Sequence, residues 1–230
     1  MEYEKIRYVT KNDLVYNLIR EKILNGEYNL GSQLIIRNLA EEFNVSETPV
    51  REAIKRLEVE GLIEITPHVG ITVSLPSLEE IKEILEIRLI LETKATEMFI
   101  ENLSDEALEK IDDILNDMKE AEKTSDASKY SLLDKEFHDT IYKFCGNKVL
   151  YELITNLWIK SERTRSIFGL SAKRMKISLE DHIKLLDAIK KKDKKTAIET
   201  IKSHKEQAFK MLLEYVISYY KEMGMDKYLI

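Results

Sequence analysis

Four residues between positions 134 and 204 have the types and the spacing to hold a metal ion. Asp134 and His138 stand four apart in LLDKEFHDTIYKF, His182 follows in SLEDHIKLLDAIKKKD, and His204 in ETIKSHKEQAFKML. Three of the chain's four histidines lie in this stretch. Residues four apart share one face of a helix. At about 100° per residue, Asp134, His138, Ile141 and Cys145 form one stripe, flanked by Leu133, Phe137 and Phe144. Lys135, Glu136, Asp139 and Lys143 point the other way. His182 shares its face with Leu185, Leu186 and Ile189, and His204 shares its face with Ala197, Ile201, Ala208 and Met211. Each imidazole is therefore predicted to face a core. A carboxylate and imidazoles converging inside a helical bundle suit a divalent cation, which supplies the partner that buried polar groups need. The alternative for the same residues is three unrelated core histidines, each satisfied by a hydrogen bond. Cys145, on the same stripe, reads as a small core residue.

The elements that must position these residues follow from periodicity and punctuation. From Pro76 onward the pattern is helical throughout, with helices predicted over 78–101, 105–123, 127–145, 148–167, 178–192 and 194–221. Ser77 with Glu80 forms a capping box, and Ser104, Asn147 and Asp193 cap later helices. Residues 169–177 fit either a short helix or a loop. Before Pro76 the pattern is different. Asn12 is placed as the cap of a helix through DLVYNLIREKILNG that stops at Gly26, and Tyr28 to Gln33 reads as a turn. A short helix covers IIRNLAEEF. Ser46 then caps ETPVREAIKRLEVE, with Pro49 in the first turn. LIEIT and ITVSL, joined by PHVG, read as a β-hairpin. Three helices and a hairpin are the order of a winged helix-turn-helix, whose third helix enters the DNA major groove. The expected fold is thus mainly α: a winged helix-turn-helix over 1–75, a linker over 76–79 and an all-α antiparallel helical bundle over 80–230.

Composition sets bounds on these readings. The 230 residues are 43% hydrophobic and 34% charged, with a net charge of −6. Residues 1–75 hold nine Lys and Arg against twelve Asp and Glu, so DNA binding must rest on local placement rather than bulk charge. No run approaches the ~20 apolar residues of a membrane span, and the N-terminus lacks an apolar signal core. A single cysteine excludes an internal disulfide and fits a reducing compartment. A cytoplasmic protein with no membrane partner is expected. Within the third helix, Ser46 and Thr48 place hydroxyls at the N-terminus, where phosphate is favoured, and Arg51 and Lys55 share one face.

The stretch LAEEFNVSETPVREAIKRLEVEGLIEITPHVGITV resembles the DNA-binding domain of the GntR family of bacterial transcription regulators. The resemblance implies that Arg37, Ser46, Thr48 and Arg51 contact DNA, with the wing tip near His68–Gly70 reaching the minor groove. Lys55 joins this set from its place beside Arg51. The family commonly has Arg where this chain has Glu47. A carboxylate there cannot read guanine, though it can accept from cytosine N4, so the operator sequence is expected to differ. His68 reads as a solvent-exposed wing residue.

The second half is similar to the FCD effector domain of the FadR subfamily, through EIRLILETKAT, DKEFHDTIYKFCGNKVL, SLEDHIKLLDAIKKKD and the helix bearing His204. That resemblance implies a metal held by Asp134, His138, His182 and His204: zinc first, with nickel or manganese as alternatives. The position before His182 is Asp181, where members often carry Glu. The resemblance further implies an organic acid bound to the metal and to nearby cations, and a homodimer that binds operator DNA as an effector-released repressor. Arg88 is the candidate for gripping the acid, since its planar fork pairs bidentately; a salt bridge to Glu92 or Glu86 is the other reading of it. Arg163 and Arg165 are further candidates, and Trp158 reads as core. A metal-dependent hydrolase and a DNA-binding protein with a purely structural metal are the rival readings. No distinctively placed general acid or base supports the hydrolase, so no enzyme is expected.

Overall fold

The computed structural model describes residues 10–165 and 172–229. The chain divides into two compact units, the first running to Pro76 and the second beginning at Ser77.

The first unit is built from α1 (Lys11–Leu24), β1 (Gln33–Leu34), α2 (Ile36–Glu42), α3 (Glu47–Val59), β2 (Ile63–Thr66) and β3 (Gly70–Val73). Apolar residues at helical spacing close its core: Val15, Ile19 and Ile23 of α1 meet Val50, Ala53, Ile54 and Leu57 of α3. The cap of α1 is Thr10, not Asn12. Its hydroxyl accepts from the Asp13 N–H while the Asp13 carboxylate accepts from the Thr10 N–H. This reciprocal pair satisfies two orphan amides at once, which Asn12 alone cannot. Arg56 of α3 also reaches Asp13, at 2.8 Å. Between α2 and α3 the chain turns through Asn44 at φ 52°.

Gln33 belongs to a strand rather than to the turn expected over Tyr28–Gln33. Gln33 and Leu34 pair antiparallel with Thr72 and Ile71, giving a three-stranded sheet in the order β1-β3-β2. A two-residue strand is too short for alternation to reveal it. It matters to the wing. The Gln33 amide donates to the Val69 carbonyl at 2.9 Å, tying the hairpin tip to β1. Gly70 has φ +105°, and a Cβ there would sit 2.9 Å from Gln33 Nε2, so glycine answers both the backbone conformation and the close approach.

The second unit holds α4 (Leu78–Glu101), α5 (Asp105–Lys123), α6 (Ala127–Lys143), α7 (Lys148–Arg165), α8 (Ala172–Lys190) and α9 (Lys194–Glu222), followed by a 3-10 turn at Asp226–Tyr228. Ser77, Ser104, Asp126 and Asp193 each accept an N-terminal amide of the helix they precede, and Asn147 accepts from Leu150 N. α5 packs on α6 and α8, and α9 packs on α4 and α8. Phe99, Ile111, Met118, Phe137, Ile141 and Ile201 lie at the centre, essentially without exposure. α8 starts at Ala172, six residues before the expected 178. The expected segment 169–177 is therefore helical from Ala172, and its earlier part lies outside the described residues. The longer α8 places Ser178 one turn before His182.

Candidate metal centre and DNA-reading face

α6 carries Asp134 and His138, α8 carries His182 and α9 carries His204. Each offers one donor atom, and all four atoms lie within 4.8 Å of one another. The three imidazoles are buried, at 1%, 1% and 5% exposure. His138 Nε2 and His182 Nε2 approach to 3.0 Å, and Asp134 Oδ1 lies 3.5 Å from His182 Nε2. His204 bonds through Nδ1 to Asp181 Oδ2 at 3.1 Å, which leaves its Nε2 for the cluster. Ser178 Oγ lies 3.4 Å from both Asp134 Oδ1 and His182 Nδ1. Three imidazole nitrogens and one carboxylate oxygen converging on a point suit a divalent ion of zinc or nickel type. A ligand imidazole whose other nitrogen meets a carboxylate is the usual support for such an ion. Asp181 fills that place here.

The electrostatics agree with ligation. Burial, with His204 beside it, pulls the His182 imidazole from the ordinary 6.5 to about 3, against the pull of Asp134. Burial would raise the Asp181 carboxyl, but its hydrogen bond with His204 holds it below the usual range. His182 is thus neutral at neutral pH, the state a metal needs. In the unfolded chain the same group takes a proton near 6.5, so between that pH and about 3 the unfolded state binds more protons. Metal-stripped protein is expected to lose stability steadily as pH falls through this window, read as a falling urea midpoint. A midpoint constant over the window would contradict the burial of His182.

Beside the cluster lies a second buried group that the sequence only partly revealed. Glu92 of α4 has no exposure. Its Oε1 accepts from Arg88 Nε at 2.8 Å and Trp158 Nε1 at 2.8 Å. Its Oε2 accepts from Tyr142 OH at 2.7 Å and pairs with Lys205 Nζ at 3.1 Å. Burial alone would raise the Glu92 carboxyl, but Arg88 and Lys205 hold it down at about 2. Arg88 also donates to Ser161 Oγ at 2.7 Å, so the predicted acid-gripping arginine is engaged with Glu92 and Ser161. Trp158 is core, as expected, with its indole N–H partnered. The side chains of Arg163 and Arg165 lie outside the described residues. Lys205 was missed: in α9 it breaks the apolar stripe of Ala197, Ile201 and Leu212, and that interruption was the available signal. Tyr142 joins the two groups, since its ring stacks on His138 at 6.1 Å between centroids while its hydroxyl reaches Glu92.

In the first unit, Arg37, Ser46, Thr48, Arg51, Lys55 and His68 are all exposed and Gly70 is half-buried. Ser46 sits at the cap position of α3, yet its hydroxyl makes no cap hydrogen bond. Arg51 pairs with Glu47 at 2.7 Å, Arg37 with Glu41 at 3.0 Å and Lys55 with Glu52 at 3.0 Å. Exposed pairs of this kind hold little free energy, so these cations can exchange a carboxylate for phosphate or a base. His68, at the wing tip, has φ 66°.

A three-helix unit whose third helix keeps one face exposed beside a wing has the form of a winged helix-turn-helix, the class of DNA-binding regulators of transcription. Comparison with known proteins gives the particular family. Residues 11–73 match the bacterial regulatory proteins of the gntR family, and residues 83–207 match the FCD domain. The HTH-type transcriptional regulator McbR of Escherichia coli K12 is 28% identical over 192 residues, 83% of this chain and 87% of that one. The gluconate operon transcriptional repressor of Bacillus subtilis is 31% identical over 191 residues, 80% of this chain and 77% of that one. Among solved structures, E. coli McbR/YncC aligns with a TM-score of 0.77 at 26% identity, covering 90% of this chain and 99% of that one. A GntR regulator from Rhodococcus sp. RHA1 aligns at 0.73 and 21% identity, covering 89% and 98%, and shares the fold. The chain belongs to the GntR family and carries an FCD domain. It is a regulator of transcription rather than an enzyme. No helix among the described residues is long and apolar enough to cross a membrane.

Proposed function

We propose that this regulator is a metal-dependent sensor of a small carboxylate, acting in the cytoplasm as a homodimeric repressor that the acid releases from its operator. The observation that carries the reading is the convergence of Asp134, His138, His182 and His204 on one point inside the bundle. The buried cation Lys205 lies within electrostatic reach of Asp134 and His182, and shares Glu92 with the buried Arg88. A divalent ion held there supplies Lewis acidity toward a carboxylate. Zinc fits the three-nitrogen, one-oxygen set best, and nickel or manganese would favour further open positions. The chain's own residues do the rest: Asp181 and Ser178 orient the donors, while burial keeps His182 neutral.

On the DNA side, Arg51 and Lys55 face the groove from α3, Ser46 and Thr48 meet phosphate at its N-terminus, Arg37 approaches from α2, and His68 and Gly70 carry the wing. A two-fold dimer presents two such helices to two half-sites. The acid changes occupancy only if it binds the DNA-competent arrangement with different affinity from the other. The repressor direction follows relatives such as the gluconate operon repressor of B. subtilis.

An operator selected from random DNA with the full chain provides the test. Arg51→Ala is expected to weaken binding to that operator by roughly ten- to a hundredfold, the worth of one bidentate base contact, with metal content unchanged. Unaltered operator affinity would sink the assignment of Arg51.

A further inference from the structure

Glu47 is the first residue of α3, and Arg51 stands one turn further on. Arg51 Nη2 donates to Glu47 Oε2 at 2.7 Å. Both side chains are about half exposed. The core is closed from other positions of the same helix, by Val50, Ala53, Ile54 and Leu57, none more than 2% exposed. The Glu47–Arg51 pair therefore takes no part in packing, and exposed pairs of this kind are readily remade. In a recognition helix it is the N-terminal residues that meet the base edges. A carboxylate at that place is repelled by phosphate and by most of the groove edge, unless a base donor meets it. Only cytosine N4 and adenine N6 donate in the major groove.

The pair also matches one base pair in spacing. Within a C·G pair, cytosine N4 donates to guanine O6, so the two atoms lie about 2.9 Å apart, and both face the major groove. Glu47 and Arg51 set an acceptor beside a donor at 2.7 Å. The base pair sets a donor beside an acceptor at nearly the same separation. The other N–H groups of Arg51 can then reach guanine N7. An A·T pair also places a donor beside an acceptor. There, however, adenine N7 would face the carboxylate, and thymine would give Arg51 one acceptor and a methyl group. In G·C, the reverse sense, guanine O6 and N7 would stand against the carboxylate. The order of Glu47 and Arg51 along α3 thus favours one base pair in one sense.

We propose that Glu47 and Arg51 act as one unit that reads a single C·G pair in each half-site, Glu47 accepting from cytosine N4 and Arg51 donating to guanine O6 and N7 of the same pair. The inference rests on the reading of α3 as the groove-facing helix and adds the base preference that its own residues impose.

The test uses the zinc-loaded full chain, an operator selected by it from random DNA, and versions of that operator carrying each of the four base pairs at each position. Wild type is expected to hold one C·G pair per half-site whose change to A·T weakens binding roughly five- to a hundredfold, the range for one good base contact. Glu47→Gln should change the preference at that pair alone from C·G to A·T, because an amide accepts from adenine N6 and donates to N7. Glu47→Ala and Arg51→Ala should each relax discrimination at the same pair. Both residues are exposed, so these variants are expected to fold. A Glu47→Gln protein with wild-type preferences at every position would overturn the inference. So would one that gains affinity equally for all DNA, or an Arg51→Ala protein that relaxes a different pair from Glu47→Ala. Each of these results leaves the DNA-binding reading of α3 standing, since wild type still selects an operator. A wild-type chain that selects no sequence would overturn that reading and this inference together.

Discussion

Replacing His182 with Ala is expected to strip the protein of its metal at concentrations where the wild type stays fully loaded. His182 is central to the donor set: its Nε2 stands 3.0 Å from that of His138 and 3.5 Å from Asp134 Oδ1. Loss of a supporting residue such as Asp181 typically costs ten- to a hundredfold in metal affinity, so loss of a ligand should cost at least about a hundredfold. Zinc content after equilibration with a chelator of known affinity reads this directly. His204→Ala should behave alike, and Asp181→Ala should fall between it and wild type. His182 also packs edge-on against Phe137, with ring centroids 4.6 Å apart, so a near-ultraviolet spectrum must accompany the measurement to separate a lost ligand from a loosened core. A folded His182→Ala protein with full metal content would refute the ligand set.

The second large effect concerns the buried carboxylate. Glu92→Ala would leave Arg88 and Lys205 buried without their shared anion, and would also remove the acceptor of the Trp158 indole and the Tyr142 hydroxyl. Removing one partner of a buried ion pair costs about 3–5 kcal/mol. Urea unfolding of the metal-stripped protein should show a loss of that size. Replacing the charged group, with Arg88→Met, Glu92→Leu and Lys205→Met together, should restore only part of it: the uncompensated charges are gone, but the Trp158 indole and the Tyr142 hydroxyl still lack their acceptor. A loss below about 1 kcal/mol for Glu92→Ala alone would contradict the network. Lys205→Met alone leaves Arg88 and Glu92 as a matched pair, so its stability cost should be small.

The convergence of Asp134, His138, His182 and His204 was legible because each histidine sits on a helical stripe whose other members are plainly apolar, such as Ile141 with His138 or Ile201 with His204. Six helices of the second unit and the three of the first could be placed from caps and periodicity for the same reason. What escaped was information that periodicity does not carry. β1 is two residues long and exists only through pairing with β3. The first cap lies at Thr10, whose spacing of three from Asp13 permits the reciprocal bonds that Asn12 lacks, a signal that was present in the sequence and passed over. α8 begins at Ala172, inside the stretch 169–177 that periodicity left open between a short helix and a loop. Arg88 and Glu92 were visible as an i,i+4 pair, but nothing along the chain shows that Lys205, Trp158 and Tyr142 come from three other helices to meet them. Buried charge networks are assembled by tertiary packing, and their members betray themselves in sequence only as polar interruptions of apolar stripes.

Sensing of a small carboxylate through a metal is tested by thermal unfolding of the full chain against a panel of small carboxylates, in zinc-loaded and in metal-stripped protein, since a ligand that binds only the folded state raises stability by mass action. An upward shift with one or a few acids is expected in the zinc-loaded protein and none in the stripped protein. Stabilisation by zinc with no response to any acid would contradict it and mark the metal as structural. An acid shift of equal size with and without zinc would contradict it too.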